Sequence, residues 1–248
     1  MKRILLVLLL LFLNSPAFAT DWTADANCQA AWLFNVDEDP QTDSSGEGHT
    51  AALKGAGEPA FVASCKFDGC YEWDGANDGM DAGTFDPSTG DLTFVTWMWW
   101  DGPNGDWQHV YAKRNDFNSD MRWQVDFRDN ASDEIFFGSG DGGTTVTFSE
   151  SFPQDQWAHM AITNDYDGNV LLYVNGSNTD TTTARAYGGG TTADNMIGTY
   201  RDNYNYSLDG KMDDQAIFND VKDSTDINDM LDNGLEGAAP SGAPPQIW

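Results

Sequence analysis

Residues 157–176 read WAHMAITNDYDGNVLLYVNG, and this stretch decides the fold class. Two mainly apolar segments, 157–164 and 169–174, lie on either side of Asp167-Gly168, and Asn175-Gly176 follows the second segment. Asp-Gly and Asn-Gly pairs readily adopt the positive φ angles that tight hairpin turns need. The stretch therefore predicts antiparallel strands that are joined by short turns.

The same pattern of short apolar segments between Gly, Asp and Asn clusters recurs along the chain. It favours an antiparallel β-sandwich or barrel in a single domain. We predict strands at Gln29–Phe34, Cys70–Trp73, Leu92–Trp99, Gln108–Lys113, Arg122–Phe127, Glu134–Gly138, Thr144–Phe148, Trp157–Asn164, Asn169–Val174, Asn195–Gly198 and Gly210–Phe218. One helix is predicted near the end of the chain, with Asp223 or Ser224 as its cap and Asn233-Gly234 at its end.

The two ends of the chain have compositions of their own. Lys2-Arg3, an apolar run and the small-residue site Ala17-Phe18-Ala19 predict a removable signal peptide at 1–19. The domain then covers 20–235, and the Gly-, Ala- and Pro-rich segment 236–248 is expected to be a flexible tail. We therefore predict a protein that is secreted or held at the cell surface, without insertion into a membrane.

Charge excludes some partners. The chain has 12 Lys+Arg against 40 Asp+Glu, a net charge of −28, and loss of Lys2 and Arg3 takes it to −30. Binding to nucleic acid or to anionic lipid needs clustered positive charge, so neither is expected. The acids are 33 Asp and only 7 Glu. Asp favours turns, caps and calcium sites, whereas Glu favours helices.

Three cysteines, Cys28, Cys65 and Cys70, leave one thiol without an intramolecular partner. In an oxidising compartment a bridge from Cys28 to Cys65 or from Cys28 to Cys70 would tie the first strand to the next segment. The sequence does not distinguish the two, and Cys28 with Cys70 is the pair that we predict.

Read in order, the segments resemble a known family. The motifs are Trp32-Leu33-Phe34, Asp43-Ser44-Ser45-Gly46, Glu72–Asp78, Leu92–Trp97, Trp157–Ala161, Leu172–Gly176, Ile197-Gly198 and Asp209–Asp214. Together they resemble the laminin-G-like jelly-roll domain of the concanavalin A-like lectin/glucanase superfamily over most of 28–235. The resemblance implies an all-β, antiparallel two-sheet jelly-roll sandwich with one short C-terminal helix. It also implies calcium in many members and frequent recognition of glycans or matrix proteins, although a shared fold does not fix function.

Calcium prefers six to eight oxygen ligands on turning backbone. Asp43 lies in an acidic stretch beside the first strand, and Asp213 lies in the last strand, which is usually its neighbour in such jelly rolls. Asp78, in the loop that resembles a calcium-adjacent loop of the family, is the third predicted ligand. The alternative is that Asp43 caps a turn and Asp213 accepts backbone hydrogen bonds.

Aromatic, cationic and hydroxyl side chains in the middle of the chain form the predicted ligand site. A sugar presents a C–H face that packs on a flat ring, and its hydroxyl groups bind polar side chains. The predicted ligand-binding residues are Trp99, Trp107, Tyr111, Arg122, Arg128 and Tyr204. The alternative for each is packing in the core or at its rim.

Catalysis is not expected, although a divergent glycoside hydrolase or lyase stays open. Glucanases of the superfamily carry a Glu-x-Asp-x-x-Glu strand, and the nearest approach here, Glu72 to Asn77, ends in Asn. The sequence therefore predicts a secreted, calcium-stabilised, lectin-like module that binds a glycan or an extracellular protein. A structural or adhesive surface protein that acts through protein contacts is the alternative.

Overall fold

The computed structural model describes residues 19–237, except 89, 118, 129–133, 141–143, 184–186, 188, 190, 191 and 202–204. The predicted signal peptide, apart from Ala19, and the predicted tail from residue 238 onwards lie outside the described residues. No helix in the part of the chain that the structure describes is long and apolar enough to cross a membrane.

Within the described residues, fifteen strands and one α-helix follow a short 3-10 helix at Trp22–Ala24. The strands are β1 (Cys28–Trp32), β2 (Ala52–Gly55), β3 (Ala60–Val62), β4 (Cys70–Asp74), β5 (Asp78–Asp81), β6 (Leu92–Trp100), β7 (Gln108–Asp116), β8 (Asp120–Phe127), β9 (Glu134–Ser139), β10 (Thr144–Ser151), β11 (Trp157–Asn164), β12 (Asn169–Val174), β13 (Ser177–Thr183), β14 (Asn195–Ile197) and β15 (Asp209–Phe218). The helix α1 is Ser224–Asn233.

The strands form two antiparallel sheets. The larger sheet has the order β13-β12-β11-β6-β15-β4-β3, and β1 also pairs with β15. The smaller sheet has the order β10-β9-β8-β7-β14-β5-β2. The two sheets and the single helix confirm the predicted jelly-roll sandwich.

The opening stretch forms the predicted antiparallel strands, but of its two turns only Asn175-Gly176, and not Asp167-Gly168, has the predicted positive φ angles. β11 pairs with β12 from Met160↔Val174 to Asn164↔Val170, and β12 pairs in turn with β13. Asn175 and Gly176 have φ of 49° and 76°, the angles that a tight hairpin needs. β13 is absent from the predicted strands because its Ser, Asn, Thr and Asp residues lack an apolar pattern.

Four short or polar strands, β2, β3, β5 and β13, are missing from the prediction. β2, β3 and β5 have only three or four residues each and lie close to a sheet edge. A segment of that length cannot show a clear alternation of apolar and polar side chains. Each strand that was predicted corresponds to a strand of the structure, and the predicted helix corresponds to α1.

The core lies between the sheets, and a second apolar cluster covers the outer face of the larger sheet. Phe94 of β6 belongs to the core between the sheets, whereas its neighbour Val95 belongs to the outer cluster with Ile227 and Met230 of α1. Successive side chains of a strand point to opposite faces. The central strands of the larger sheet are therefore buried on both sides, and α1 closes that face.

The cysteine prediction is wrong: the disulfide joins Cys65 to Cys70, and Cys28 is a buried free thiol. β1 and β4 lie one after the other along the same edge of β15, with Cys28 opposite Phe218 and Tyr71 opposite Met212. Cys28 and Cys70 are therefore separated by about five residues of strand, roughly 16 Å. A disulfide needs Cα atoms within about 7 Å, so this pair cannot form.

Gly210 allows β15 to approach β6 closely. Its φ is +148°, and a Cβ there would lie 2.2 Å from the carbonyl oxygen of Trp99. We expect Gly210→Ala to lower the free energy of unfolding by at least about 2 kcal/mol, because the backbone of β6 cannot move without breaking its pairing. Urea denaturation measures this change. The matched control is Gly90→Ala, where a Cβ would meet no atom within 4 Å, and an equal loss in both variants would contradict the explanation.

Candidate binding site on the smaller sheet

The outer face of the smaller sheet is built by the strand alternation of β8. Trp123, Val125 and Phe127 face the core between the sheets. Gln124 and Asp126 therefore point to the opposite face. They are 1% and 0% exposed, although no second sheet covers them. Loops that cross this face enclose a pocket.

The pocket has a volume of about 180 Å³. It is lined by Trp107, His109, Arg114, Phe117, Gln124 and Tyr206. His109 and Arg114 come from β7 and Gln124 comes from β8. Trp107 directly precedes β7, and the backbone N–H of His109 donates to the carbonyl oxygen of Tyr206 at 3.0 Å, which joins the loop before β15 to the sheet.

Several buried polar atoms at this face have no protein partner. Among the described residues, both ring nitrogens of His109, Nε of Arg114, Oε1 of Gln124 and Oδ1 of Asp126 are buried and make no hydrogen bond. Nε of Arg128, which directly follows β8, is also buried and makes no hydrogen bond. Because folded proteins pair nearly all buried polar groups, such a cluster indicates a place where a ligand or water supplies the partners.

Burial sets the charge of the pocket floor. It raises the pKa of Asp126 well above the usual range, against the opposing effects of Arg114, the hydrogen bond from Gln124, and Arg128. Burial, with a smaller effect of Arg114, lowers the pKa of His109 well below its usual range. Nε2 of His109 and Oδ2 of Asp126 are 3.9 Å apart, which is too far for a hydrogen bond. The neutral forms of both side chains are favoured, and arginine supplies the positive charge.

Aromatic rings form the rim of the pocket. Trp107 packs edge to face on Phe136 with ring centroids 5.8 Å apart. On the other side Tyr200 and Tyr206 have centroids 5.4 Å apart, and Tyr206 is 38% exposed. Partly exposed rings beside buried polar groups give the site an apolar wall and a polar floor, the usual composition of small-molecule pockets.

The structure places two of the predicted ligand-binding residues at this pocket. Trp107 lines it, and Cζ of Arg128 lies 5.8 Å from the centre of the Trp107 ring and 4.7 Å from that of Phe136. Tyr204 lies outside the described residues.

Three predicted ligand-binding residues lie elsewhere. Tyr111 is fully buried in the core and stacks on Trp123 at 4.3 Å, because the register of β7 shifts between His109 and Tyr111. Arg122 binds Asp86 Oδ1 at 3.0 Å and the Ser88 carbonyl oxygen at 3.1 Å. Trp99 lies on the larger sheet, where Nε1 donates to Asp101 Oδ1 at 2.8 Å.

The predicted ligand-binding residues do not include His109, Arg114, Gln124, Asp126 or Tyr206. The available signal was the alternation of Gln124 and Asp126 with Trp123, Val125 and Phe127, since polar side chains at every second position of an apolar strand mark its outward face. That signal alone does not say which outward face remains accessible.

The carboxylates that were predicted to bind calcium serve different parts of the fold. Asp43 is the most completely bonded: Oδ1 accepts from the backbone N–H of Ala31 at 2.9 Å and from Ser45, and Oδ2 accepts from the N–H of His49 at 2.8 Å. Asp43 thus accepts hydrogen bonds from backbone N–H groups of β1 and of the turn that follows Asp43. Capping this turn was the alternative to calcium binding for Asp43.

Asp78 and Asp213 each accept one backbone hydrogen bond on separate elements. Asp78 Oδ2 accepts from the N–H of Asp74 at 3.0 Å in the smaller sheet, and Asp213 Oδ2 accepts from the N–H of Phe67 at 2.8 Å beside the larger one. Within the described ranges no three His, Cys, Asp or Glu residues are grouped so that they could hold a metal. Asp43 and Asp213, predicted as ligands of one site, and Asp78, predicted for a second, therefore belong to no such group among these residues.

The sequence model described as the concanavalin A-like lectin/glucanases superfamily matches residues 74–228, more than half of the chain. The chain belongs to this superfamily. No curated protein sequence matches it. The resemblance that the motifs indicated is therefore confirmed.

Solved structures with the same fold include binding domains of larger proteins. Domain 4 of AbnA, a GH43 extracellular arabinanase of Geobacillus stearothermophilus in complex with arabinotriose, is 17% identical with a TM-score of 0.65, over 83% of this chain and 98% of that one. The binding domain of Paraclostridial Mosquitocidal Protein 1 is 16% identical with a TM-score of 0.63, over 86% and 55%. The receptor-binding domain of botulinum neurotoxin type G is 16% identical with a TM-score of 0.60, over 84% and 51%. The chain thus spans about half of either toxin domain, and all three likenesses are likenesses of fold.

Asp78 makes stability depend on pH. Burial, with a smaller contribution from Asp74, raises the pKa of the folded state from 3.8 to about 6, so the folded protein retains a proton that the unfolded chain loses. This part of the stability is fully present below pH 3.8 and is lost as the pH rises through 6. Asp78→Asn cannot titrate at this position. We expect its free energy of unfolding, relative to that of the wild type, to rise by up to about 3 kcal/mol between pH 4 and pH 7. Urea denaturation across this range measures the difference, and parallel stability curves would contradict the assignment.

Proposed function

We propose that the chain is an exported, lectin-like module that binds a glycan in the pocket on the outer face of the smaller sheet. One observation supports the proposal. His109, Arg114 and Gln124 line the pocket with buried polar atoms that have no hydrogen-bond partner. The rings of Trp107 and Tyr206 line the same pocket. A sugar needs both kinds of contact at once, because its ring has an apolar C–H face and a polar edge.

Each group has a role in such a complex. Trp107 and Tyr206 offer electron-rich ring faces that attract the C–H groups of a sugar. His109, Gln124 and Asp126 offer donors and acceptors for hydroxyl groups, and satisfying a buried polar atom removes a desolvation cost of about 1–3 kcal/mol. A pocket of about 180 Å³ is smaller than the 300–1,000 Å³ of drug-sized sites, which favours one sugar residue or a chain end.

Other features support export and binding without covalent chemistry. The pattern of residues 1–19 is that of a signal peptide, and the Cys65–Cys70 disulfide is typical of oxidising compartments. The arabinanase domain of the same fold was solved with arabinotriose. The glucanase Glu-x-Asp-x-x-Glu motif is absent from the sequence.

A glycan array followed by titration calorimetry with a captured oligosaccharide tests the proposal. We expect Trp107→Ala to weaken binding at least tenfold, about 1.4 kcal/mol, because tryptophan rings that line a recognition site are frequent hot spots. The matched control is Trp99→Ala, which removes the same kind of partly exposed ring from the larger sheet and should leave the affinity unchanged. Equal losses in the two variants, at equal melting temperatures, would contradict the placement of the site.

The same preparation separates the alternatives. An array without binding, together with oligomers or filaments in size-exclusion chromatography, would replace the proposal by a structural or adhesive role. Release of reducing sugar or unsaturated ends from a captured polysaccharide would replace it by a hydrolase or lyase.

Stabilisation by calcium is a separate proposal that the family resemblance and the net charge of −28 support. We expect calcium to raise the melting temperature above the shift that NaCl of equal ionic strength produces, since a specific site adds ligand linkage to general screening. Thermal melts in EDTA, in excess calcium and in matched NaCl measure this difference. Equal shifts in calcium and in NaCl would show screening alone.

A further inference from the structure

Arginine is unevenly distributed over this acidic protein. The structure describes four arginines, Arg114, Arg122, Arg128 and Arg201, in a chain with 40 Asp+Glu and 12 Lys+Arg. Three of the four adjoin the pocket on the smaller sheet. Arg114 lines it, Arg128 lies against Trp107, and Arg201 lies over Tyr200 with its Cζ 4.4 Å from the ring centre. Three of the four described arginines thus lie beside one pocket in a protein whose net charge is −28.

The three arginines are held by rings rather than by carboxylates. Cζ of Arg114 is 4.2 Å from the centre of the Tyr200 ring, and Cζ of Arg128 is 4.7 Å from that of Phe136. Between described residues, ion pairs engage Arg122, Lys211 and Lys222, and none engages Arg114, Arg128 or Arg201. Stacking on a ring leaves the edge of a guanidinium fork free for a planar anion.

The nearby carboxylates of Asp126 and Asp116 stabilise the charge of Arg114, and among the described residues neither Asp126 nor Asp194 forms an ion pair with it. Asp126 faces Arg114 from β8, and burial favours its protonated form. Asp194 lines the adjoining hollow with Arg114 and Arg201 but forms no ion pair with either among the described residues, and its Oδ1 accepts from the hydroxyl of Thr84 at 2.5 Å. A protonated Asp126 carboxyl can also donate a hydrogen bond to an anion.

We propose that the pocket selects an acidic sugar, one that carries a carboxylate or a sulfate group, and that Arg114 and Arg128 bind this group. The inference rests on the proposed function and adds the class of glycan. A guanidinium donates two parallel hydrogen bonds to a carboxylate or a sulfate, and Nε of Arg114, which has no partner among the described residues, belongs to this fork. Arg114 is 7% exposed, so the charge is delivered inside the pocket rather than at its rim.

Paired polysaccharides test the selection directly. The probes are polygalacturonate with its fully methyl-esterified form, and a sulfated galactan with its desulfated form. We expect the wild type to bind at least one charged probe tenfold or more tightly than its neutral partner. A preference for the charged probe in the first pair alone identifies a carboxylate as the recognised group. A preference for the charged probe in the second pair alone identifies a sulfate.

Arginine variants then test the mechanism. Arg114→Gln is expected to lose at least tenfold in affinity for the charged probe and to abolish the preference over the neutral one. Arg128→Gln, at a partly exposed position, should reduce the preference and keeps the test open if Arg114→Gln fails to fold. The control is Lys54→Gln, which changes the net charge equally on the exposed strand β2, three strands from β7.

The outcomes separate this inference from the proposed function. Equal binding of the charged and neutral probes, or equal losses in Arg114→Gln and Lys54→Gln, would overturn the acidic-sugar inference while the glycan-binding function stands. Failure of every glycan to bind would overturn both.

Discussion

Strand β15 pairs with β6 through eight residue pairs on one side, and on the other side first with β4 and then with β1. Three separate parts of the chain therefore depend on the register of this one strand. At the bulge between β4 and β1, the carboxylates of Asp213 and Asp214 accept hydrogen bonds from the backbone of Phe67 and Leu235. These two carboxylates attach the disulfide loop and the segment after α1 to the larger sheet. Some of the many aspartates of this chain thus accept backbone hydrogen bonds.

The outer faces of the two sheets are covered by different parts of the chain. α1 and the first residues of the domain bury its outer face, and Trp22 Nε1 donates to Asp229 of α1 at 3.0 Å. The smaller sheet has only loops over its outer face. Its outward side chains include the polar residues His109, Gln124 and Asp126, whereas the outer face of the larger sheet combines apolar residues with polar ones such as His159 and Thr163. The larger sheet also has a hollow on its outer face, beside α1, which is lined by residues that include Lys66, Trp97 and Trp157.

Much of the fold was predictable because long strands have a strong alternation of side chains. The short strands β2, β3 and β5 and the polar strand β13 lack that signal, so only the sheet partners reveal them. In the site, Trp107 and Arg128 were predictable by residue type. Tyr111 was not, because a one-residue register shift in β7 turns it into the core. The disulfide was also beyond prediction, since it depends on where β1 and β4 lie along β15.

The burial of Cys28 has a chemical consequence for a protein with three cysteines. Desolvation, with the nearby charges of Asp43 and Asp25, raises the pKa of this thiol to about 12. Exchange between thiols and disulfides proceeds through the thiolate, which this pKa makes scarce at neutral pH. Once β1 has docked on β15, Cys28 is neither an attacking nucleophile nor a site for a mixed disulfide. Burial of Cys28, which is 2% exposed, therefore protects the odd cysteine from exchange with other thiols in the folded module.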